Sequence, residues 1–274
     1  SARADRRAGV QPGRRRTPGA RVSLGSAARA RRSTPAPRPP ELPRARGADA
    51  VADADVTGPV EDYLTAIYEL ARGGVAVATT ALAAQLNVAP PSVTGMVRRL
   101  ADQGLLTHER YHGVRLTPQG RLVALRTLRR HRVIEAYLAE ALGYSWDEVH
   151  DEAERLEHAA SDDLVDRMAA AIGEPSVDPH GAPIPSRDGA VEEEERLCTL
   201  GDVKVGATAE VMRISDDDPD LLRYLTDLEI KRGSTVRVVE RAPFGGPITL
   251  KVGGSIRAIG PALAERLFVR LRRR

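Results

Sequence analysis

The chain is poor in the residues that mark several functional classes. Its 274 residues include one cysteine, one tryptophan and two phenylalanines. A lone Cys198 excludes a disulfide framework and an all-thiolate zinc site, and a reducing cytoplasm is the expected compartment. Aromatic residues make up 3% of the chain, too few for a protein that stacks single-stranded bases. No apolar run approaches the roughly 18 residues of a membrane helix, so no membrane partner is expected. The arginine-rich start lacks the apolar segment of a secretory signal. There is no His-Glu-x-x-His motif and no glycine-flanked nucleophile, so a metallohydrolase built on Glu157 and His158 remains only a distant alternative.

Charge is present in abundance but unevenly placed. Residues 1–50 hold 13 Arg against three acids, whereas the remainder is net acidic, at −7. The pI near 9.2 therefore belongs to the N-terminal stretch. Residues 1–56, rich in Arg, Pro and Ala, cannot bury enough apolar surface to offset chain entropy and are expected to be a disordered extension. Within the body, residues 90–132 carry nine Arg against two acids, and residues 133–230 carry 26 acids against seven bases.

Order is expected from Pro59, where Val60, Tyr63, Leu64, Ile67, Tyr68 and Leu70 recur at helical spacing, ended by Arg72-Gly73-Gly74. Thr79–Leu86, the turn Asn87-Val88-Ala89 and a second helix opening at Pro90-Pro91 form a helix-turn-helix pattern. Val93, Met96, Val97 and Leu100 give the second helix a buried stripe. That leaves Ser92, Thr94, Arg98 and Arg99 outside. Gly104–Thr107 leads into His108–Thr117, where two short strands around a polar tip read as a β-hairpin wing. Thr117-Pro118 opens a long helix carrying Arg121, Arg126, Arg129, Arg130 and Arg132, followed by helices over 133–142 and from 145 through His158 to Ile172. Pro175–Gly189 is a Pro-rich crossing, and Glu192–Glu195 a solvated acidic run. From Leu200, glycines punctuate β-branched runs such as Val203–Val205, which reads as a small barrel of about five strands with one helix over 221–228.

Three of the six histidines fall within 131–158 beside carboxylates. His131 and Glu135 are i and i+4. His150, Glu154, Glu157 and His158 fall within about a third of one helix circumference. Asp62 joins them if the first helix packs nearby. Imidazole and carboxylate without thiolate suit Mn²⁺, Fe²⁺ or Co²⁺. A single Glu–His pair at this spacing is an ordinary surface contact; two sets on successive helices point to metal. His108, His112, His180 and Cys198 stand apart from these sets.

Glu61–Leu70, the helix-turn-helix with Pro91-Ser92-Val93-Thr94, His131-Arg132 with Glu135, and Val149–Asp162 together resemble the diphtheria toxin repressor family of metal-dependent bacterial repressors. The resemblance covers about residues 57–274. It implies a mostly α fold with a small β domain. A winged helix-turn-helix DNA-binding domain would span 57–121, a helical metal-binding and dimerisation domain 122–190, a linker 191–198, and an SH3-like domain related to ferrous-transport accessory proteins 199–274. It further implies two metal sites per subunit. Asp62, Glu154, Glu157 and His158 match the primary site, and His131, Glu135 and His150 the ancillary one.

Iron-responsive members carry Met and Cys where Asp62 and Glu154 stand, so hard oxygen in place of sulfur favours Mn²⁺, with Fe²⁺ as the alternative corepressor. Thr65 stands where two-domain manganese regulators carry a Glu ligand. The C-terminal domain of iron-type members lends a Glu and a Gln; Asp218 and Leu221 correspond here, so Asp218, or a neighbouring Asp217 or Asp220, is a possible ligand. The expected function is repression of metal-uptake and homeostasis genes by a homodimer on a palindromic double-stranded operator. Thr80, Pro91, Ser92, Thr94, Arg98, Arg99, Arg110 and Arg115 would face the DNA, and Arg126, Arg129 and Arg130 would be solvated charges. An enzyme is not expected.

Overall fold

The structure, a computed structural model, describes residues 56–71, 75–109, 112–191, 197–215 and 218–272. The N-terminal extension, the Arg72-Gly73-Gly74 stop, Arg110, the Glu192–Glu195 run and Asp217 lie outside the described residues.

Helix α1 (Gly58–Leu70) starts with Pro59 in its first turn and buries Val60, Tyr63, Leu64 and Ile67. Proline is tolerated there because the first N–H groups of a helix have no intrahelical acceptor. Helices α2 (Thr79–Gln85) and α3 (Pro90–Asp102) flank a turn in which Asn87 takes the left-handed conformation, φ 49°. Asparagine accepts that region more readily than a residue whose side chain cannot bond locally. Strands β1 (Leu106–Glu109) and β2 (Gly113–Leu116) pair antiparallel, Leu106 opposite Leu116, to form the wing. Val77 extends it by exchanging two backbone hydrogen bonds of 2.9 Å with Val114.

Helix α4 (Pro118–Leu142) is one continuous 25-residue element, where the sequence suggested a break near residue 133. The Thr117 hydroxyl caps it by accepting from the Gly120 amide at 3.1 Å, and Gly143 at φ 74° terminates it. Its first half packs on the winged-helix core through Ala124, and its second half packs Ile134 and Leu138 on Val149 and Ala153. One rigid helix therefore carries the basic block into the acidic one.

Helices α5 (Val149–Glu157) and α6 (Asp162–Ala171) are separate, which corrects the expected continuous run through His158 to Ile172. The physical cause is Ser161, whose side chain accepts the Leu164 N–H and starts α6 afresh. The Pro-rich crossing is held by Asp178, which accepts the amides of His180 and Ala182 at 2.8 and 2.9 Å. Gly181 lies so close to Met212 that a Cβ there would stand 2.0 Å from the Met212 carbonyl oxygen.

The C-terminal domain is a six-stranded antiparallel sheet in the order β3-β8-β4-β5-β6-β7, one strand more than expected. The strands are β3 (Cys198–Thr199), β4 (Thr208–Ile214), β5 (Thr235–Arg241), β6 (Ile248–Val252), β7 (Ser255–Ile259) and β8 (Leu267–Leu271). Two helices, α7 (Pro219–Asp227) and α8 (Pro261–Ala264), accompany the sheet, where one was expected. Val203–Val205 is not a strand: a 3₁₀ turn at Leu200–Asp202 leads into it. Alternate residues of β4, β5 and β6 point inward, so Ala209, Val211, Val236, Val238, Leu250 and Val252 join Leu222 and Leu225 of α7 in one core. The domain meets the helical part where the Trp146 indole donates to Thr226 at 3.0 Å and the Ile214 amide to the His180 carbonyl at 2.9 Å.

Candidate metal centre

Two groups of side chains meet between α1, α4 and α5. In the first, His131 Nε2 lies 3.0 Å from Glu135 Oε1 and 3.1 Å from His150 Nδ1, and His150 Nδ1 lies 3.4 Å from Glu135 Oε1. In the second, His158 Nε2 lies 2.9 Å from Asp62 Oδ1 and 3.4 Å from Glu157 Oε1. In each group one donor atom per residue lies within 4.8 Å of the others. Such convergence of imidazole nitrogen and carboxylate oxygen is a donor set that fits a borderline or hard divalent cation.

Glu157 joins the two groups, since its other oxygen lies 2.6 Å from His131 Nδ1. The first-turn position of Gly58 leaves room for the second group: a Cβ there would sit 3.2 Å from the His158 ring.

The electrostatics are those of a cluster that wants positive charge. Burial works to lower the His131 imidazole, but the charges and hydrogen bonds of Glu135 and Glu157 outweigh it and hold it well above its ordinary value. Burial likewise opposes the His158 imidazolium, and the Glu61 hydrogen bond with the charges of Glu157 and Asp62 raises it instead. Burial raises Glu135, yet His131 and His150 pull it well below the carboxylate range. Asp62 is raised, chiefly by burial.

Sequence reasoning placed Glu154 with Glu157 and His158, but the structure does not bring it to them. Its side chain is 64% exposed and lies 3.5 Å from His150 Nε2. Asp218 belongs to none of these groups; its carboxylate caps α7 by accepting the Asp220 N–H at 2.9 Å. A third group was not anticipated: Glu135, Asp178 and His180, all buried. His180 Nδ1 lies 3.9 Å from Glu135, its Nε2 meets the Trp146 carbonyl at 2.8 Å, and Arg132 Nε lies 3.7 Å from Asp178. Burial and the Glu135 charge push the Asp178 carboxyl up to about 6. The signal was absent from the sequence because Asp178 and His180 sit in a loop without helical spacing. Glu61, which meets His158 Nδ1 at 2.7 Å, was likewise missed as a functional residue.

In the winged helix, Thr80, Pro91, Ser92, Thr94, Arg98, Arg99 and Arg115 are all exposed. The Thr94 hydroxyl donates to the Pro90 carbonyl at 3.2 Å, leaving its oxygen free to accept. Arg129 and Arg130 are not solvated charges. Arg129 binds Asp166 at 2.9 Å, and Arg130 binds Glu61 and, at 3.5 Å, Asp162.

A helix-turn-helix with a wing, tied by one long helix to a carboxylate–imidazole centre, defines a DNA-binding regulator that responds to a metal ion. Comparison with known proteins gives the particular family. Residues 55–114 match the model described as the iron dependent repressor N-terminal DNA binding domain, residues 117–186 its metal binding and dimerisation domain, and residues 198–271 the FeoA domain. The iron-dependent repressor IdeR of Mycobacterium leprae is 31% identical over 210 residues, 73% of this chain and 91% of that protein. The diphtheria toxin repressor of Corynebacterium diphtheriae is 31% identical over 209 residues, with the same shares.

Among solved structures, a manganese-dependent transcriptional repressor in complex with manganese is 40% identical, with TM-score 0.70, covering 77% of this chain and 98% of that one. The manganese regulator SloR is 32% identical, with TM-score 0.67, covering 78% and 98%. The chain belongs to the diphtheria toxin repressor family and is a metal-dependent transcriptional repressor, with a winged-helix DNA-binding domain, a helical dimerisation domain and an SH3-like C-terminal domain. Members of the family are transcriptional regulators. Among the described residues no helix is long and apolar enough to cross a membrane.

Proposed function

We propose that this repressor uses Mn²⁺ as its corepressor, at two sites per subunit, to silence metal-uptake and homeostasis genes. The carrying observation is the meeting of Asp62 on α1 with Glu157 and His158 at the end of α5, all oxygen and nitrogen donors without sulfur. We assign Asp62, Glu157 and His158 to the primary site, with Glu154 joining by rotation of its exposed side chain, and His131, Glu135 and His150 to the ancillary site. Asp218 would require displacement from its cap to serve. A divalent cation bound there supplies the positive charge these carboxylates lack.

What the chain itself contributes is positional. Asp62 lies on the helix leading into the DNA-binding unit (57–121), and Glu157 and His158 lie in the helical domain (122–190), whose exposed Leu142, Tyr144, Leu156 and Leu164 suit a second copy. Holding these groups together fixes the spacing of two recognition helices, which has to match half-sites of a palindromic operator. A differential affinity for that arrangement is enough to shift the population. Ser92 and Thr94 reach bases or phosphates. Thr80, Pro91, Arg98, Arg99 and Arg115 line the backbone, positioning the protein without reading sequence. Residues 199–274 form an accessory module after the linker 191–198. A cytoplasmic setting follows from DNA as the target.

The test is a band shift of the full chain on a palindromic operator with and without Mn²⁺; equal affinity in both overturns the corepressor reading. An iron(II) reading draws support from the curated relatives named for iron. It predicts tighter operator binding with Fe²⁺ than with Mn²⁺ under anaerobic conditions.

A further inference from the structure

We infer that Glu61 is a positioning residue that selects which nitrogen of His158 faces the primary site and ties that choice to α4 and α6; this rests on the assignment of Asp62, Glu157 and His158 as metal ligands. Glu61 immediately precedes Asp62 but does a different job. Its Oε2 lies 2.7 Å from His158 Nδ1, on the side of the ring away from the ligand cluster. His158 Nε2 faces Asp62 and Glu157. A carboxylate accepting from Nδ1–H holds the neutral ring in the tautomer whose Nε2 lone pair is free, and makes that nitrogen more basic.

Glu61 is itself held. Its Oε1 binds the Arg130 guanidinium of α4, which also contacts Asp162 at the start of α6 at 3.5 Å and the Thr127 hydroxyl at 3.2 Å. Its side chain is only 13% exposed, so water cannot readily replace these contacts. The arrangement repeats at the other site, where Glu157 meets His131 Nδ1 while His131 Nε2 faces Glu135 and His150. His131 and His158 therefore each have a carboxylate behind the ring. Only Glu61 reaches that position from α1, so the orientation of the ring depends on α1 being docked. The Asp62 contact and the Glu61 contact form or break together as α1 moves.

The test uses the full chain. In metal-free protein, ¹⁵N NMR of the His158 ring, assigned by its loss in His158→Gln, is expected to show the Nδ1–H tautomer above its titration; the Nε2–H tautomer overturns the inference without any variant at residue 61. Mn²⁺ calorimetry of Glu61→Gln is expected to show about a 10- to 100-fold weaker primary site with the ancillary site unchanged, and Glu61→Ala a larger loss. Unchanged primary affinity in both variants overturns it. Asp62→Ala and His158→Ala run alongside. If these leave Mn²⁺ stoichiometry intact, the ligand assignment has failed; if they remove one site while Glu61→Gln removes nothing, the failure is that of Glu61 alone.

Discussion

Substituting Glu157 by Gln should damage both proposed metal sites at once, and unequally. One Glu157 oxygen lies 3.4 Å from His158 Nε2 in the primary group, and the other lies 2.6 Å behind the His131 ring. The Gln amide keeps an oxygen that can accept from His131 Nδ1–H but removes the charge that makes the opposite nitrogen a strong donor. At the ancillary site this is loss of an outer carboxylate, about 10- to 100-fold in affinity, or about 1.4–2.8 kcal/mol. At the primary site a charged carboxylate ligand becomes a neutral, weaker amide oxygen or is lost, so the fall there is larger. The side chain is 9% exposed, so solvent does not substitute for it. Calorimetric titration of Mn²⁺ into metal-free Glu157→Gln resolves the two steps, with Asp62→Asn as the comparison that weakens the primary site alone. An ancillary step within twofold of the unsubstituted chain would refute the idea that Glu157 serves both sites.

Other consequences follow from particular contacts. With His131 held well above its ordinary value near 6.5, the metal-free chain draws stability from the protonated ring below that pH and loses it as pH rises through the raised value. Mn²⁺ must displace that proton, so its affinity moves the other way and rises over the same range; melts and calorimetry at pH 6 to 9 should show opposite slopes. Gly120→Ala would place a Cβ 1.9 Å from the Leu105 carbonyl oxygen, and a loss of about 3 kcal/mol or more in denaturant unfolding is expected. Arg98→Ala should lower the slope of log K against log salt by about one on any DNA sequence, with no change in operator preference.

Much of the centre was legible in advance because helical periodicity carries angular information. His131 and Glu135 share a face of α4, and their spacing alone makes a pair of ligands from one helix. The same rule grouped Glu154 with His150, Glu157 and His158, and the structure sets it beside His150. At i+4 from His150 it pairs with that ring, while His158 occupies the C-terminal cap of α5. The backbone of His158 is still in the right-handed helical region, φ −76° and ψ −18°, and its ring meets Glu61 and Asp62 of α1 as well as Glu157. Asp178 and His180 were invisible for the complementary reason: the loop that carries them has no period, and their company with Glu135 is set by hydrogen bonds within the turn. Arg129 and Arg130 looked like solvated charges because their carboxylate partners lie more than 30 residues away.

By itself the sequence determined the element types, the family, the order of DNA-binding, helical and β parts, and the chemistry of the donors. These depend on local propensity, on spacing within one helix and on residue type, all of which a linear string contains. Tertiary structure decided which donors meet. The approach of α1 to the end of α5 brings Asp62 to His158 and puts Glu61 behind the same ring. Glu157 joins the two side-chain groups because one of its oxygens meets His131 and the other His158. Such relations depend on the packing angle between elements remote in the chain, and residue spacing does not encode an angle between two helices.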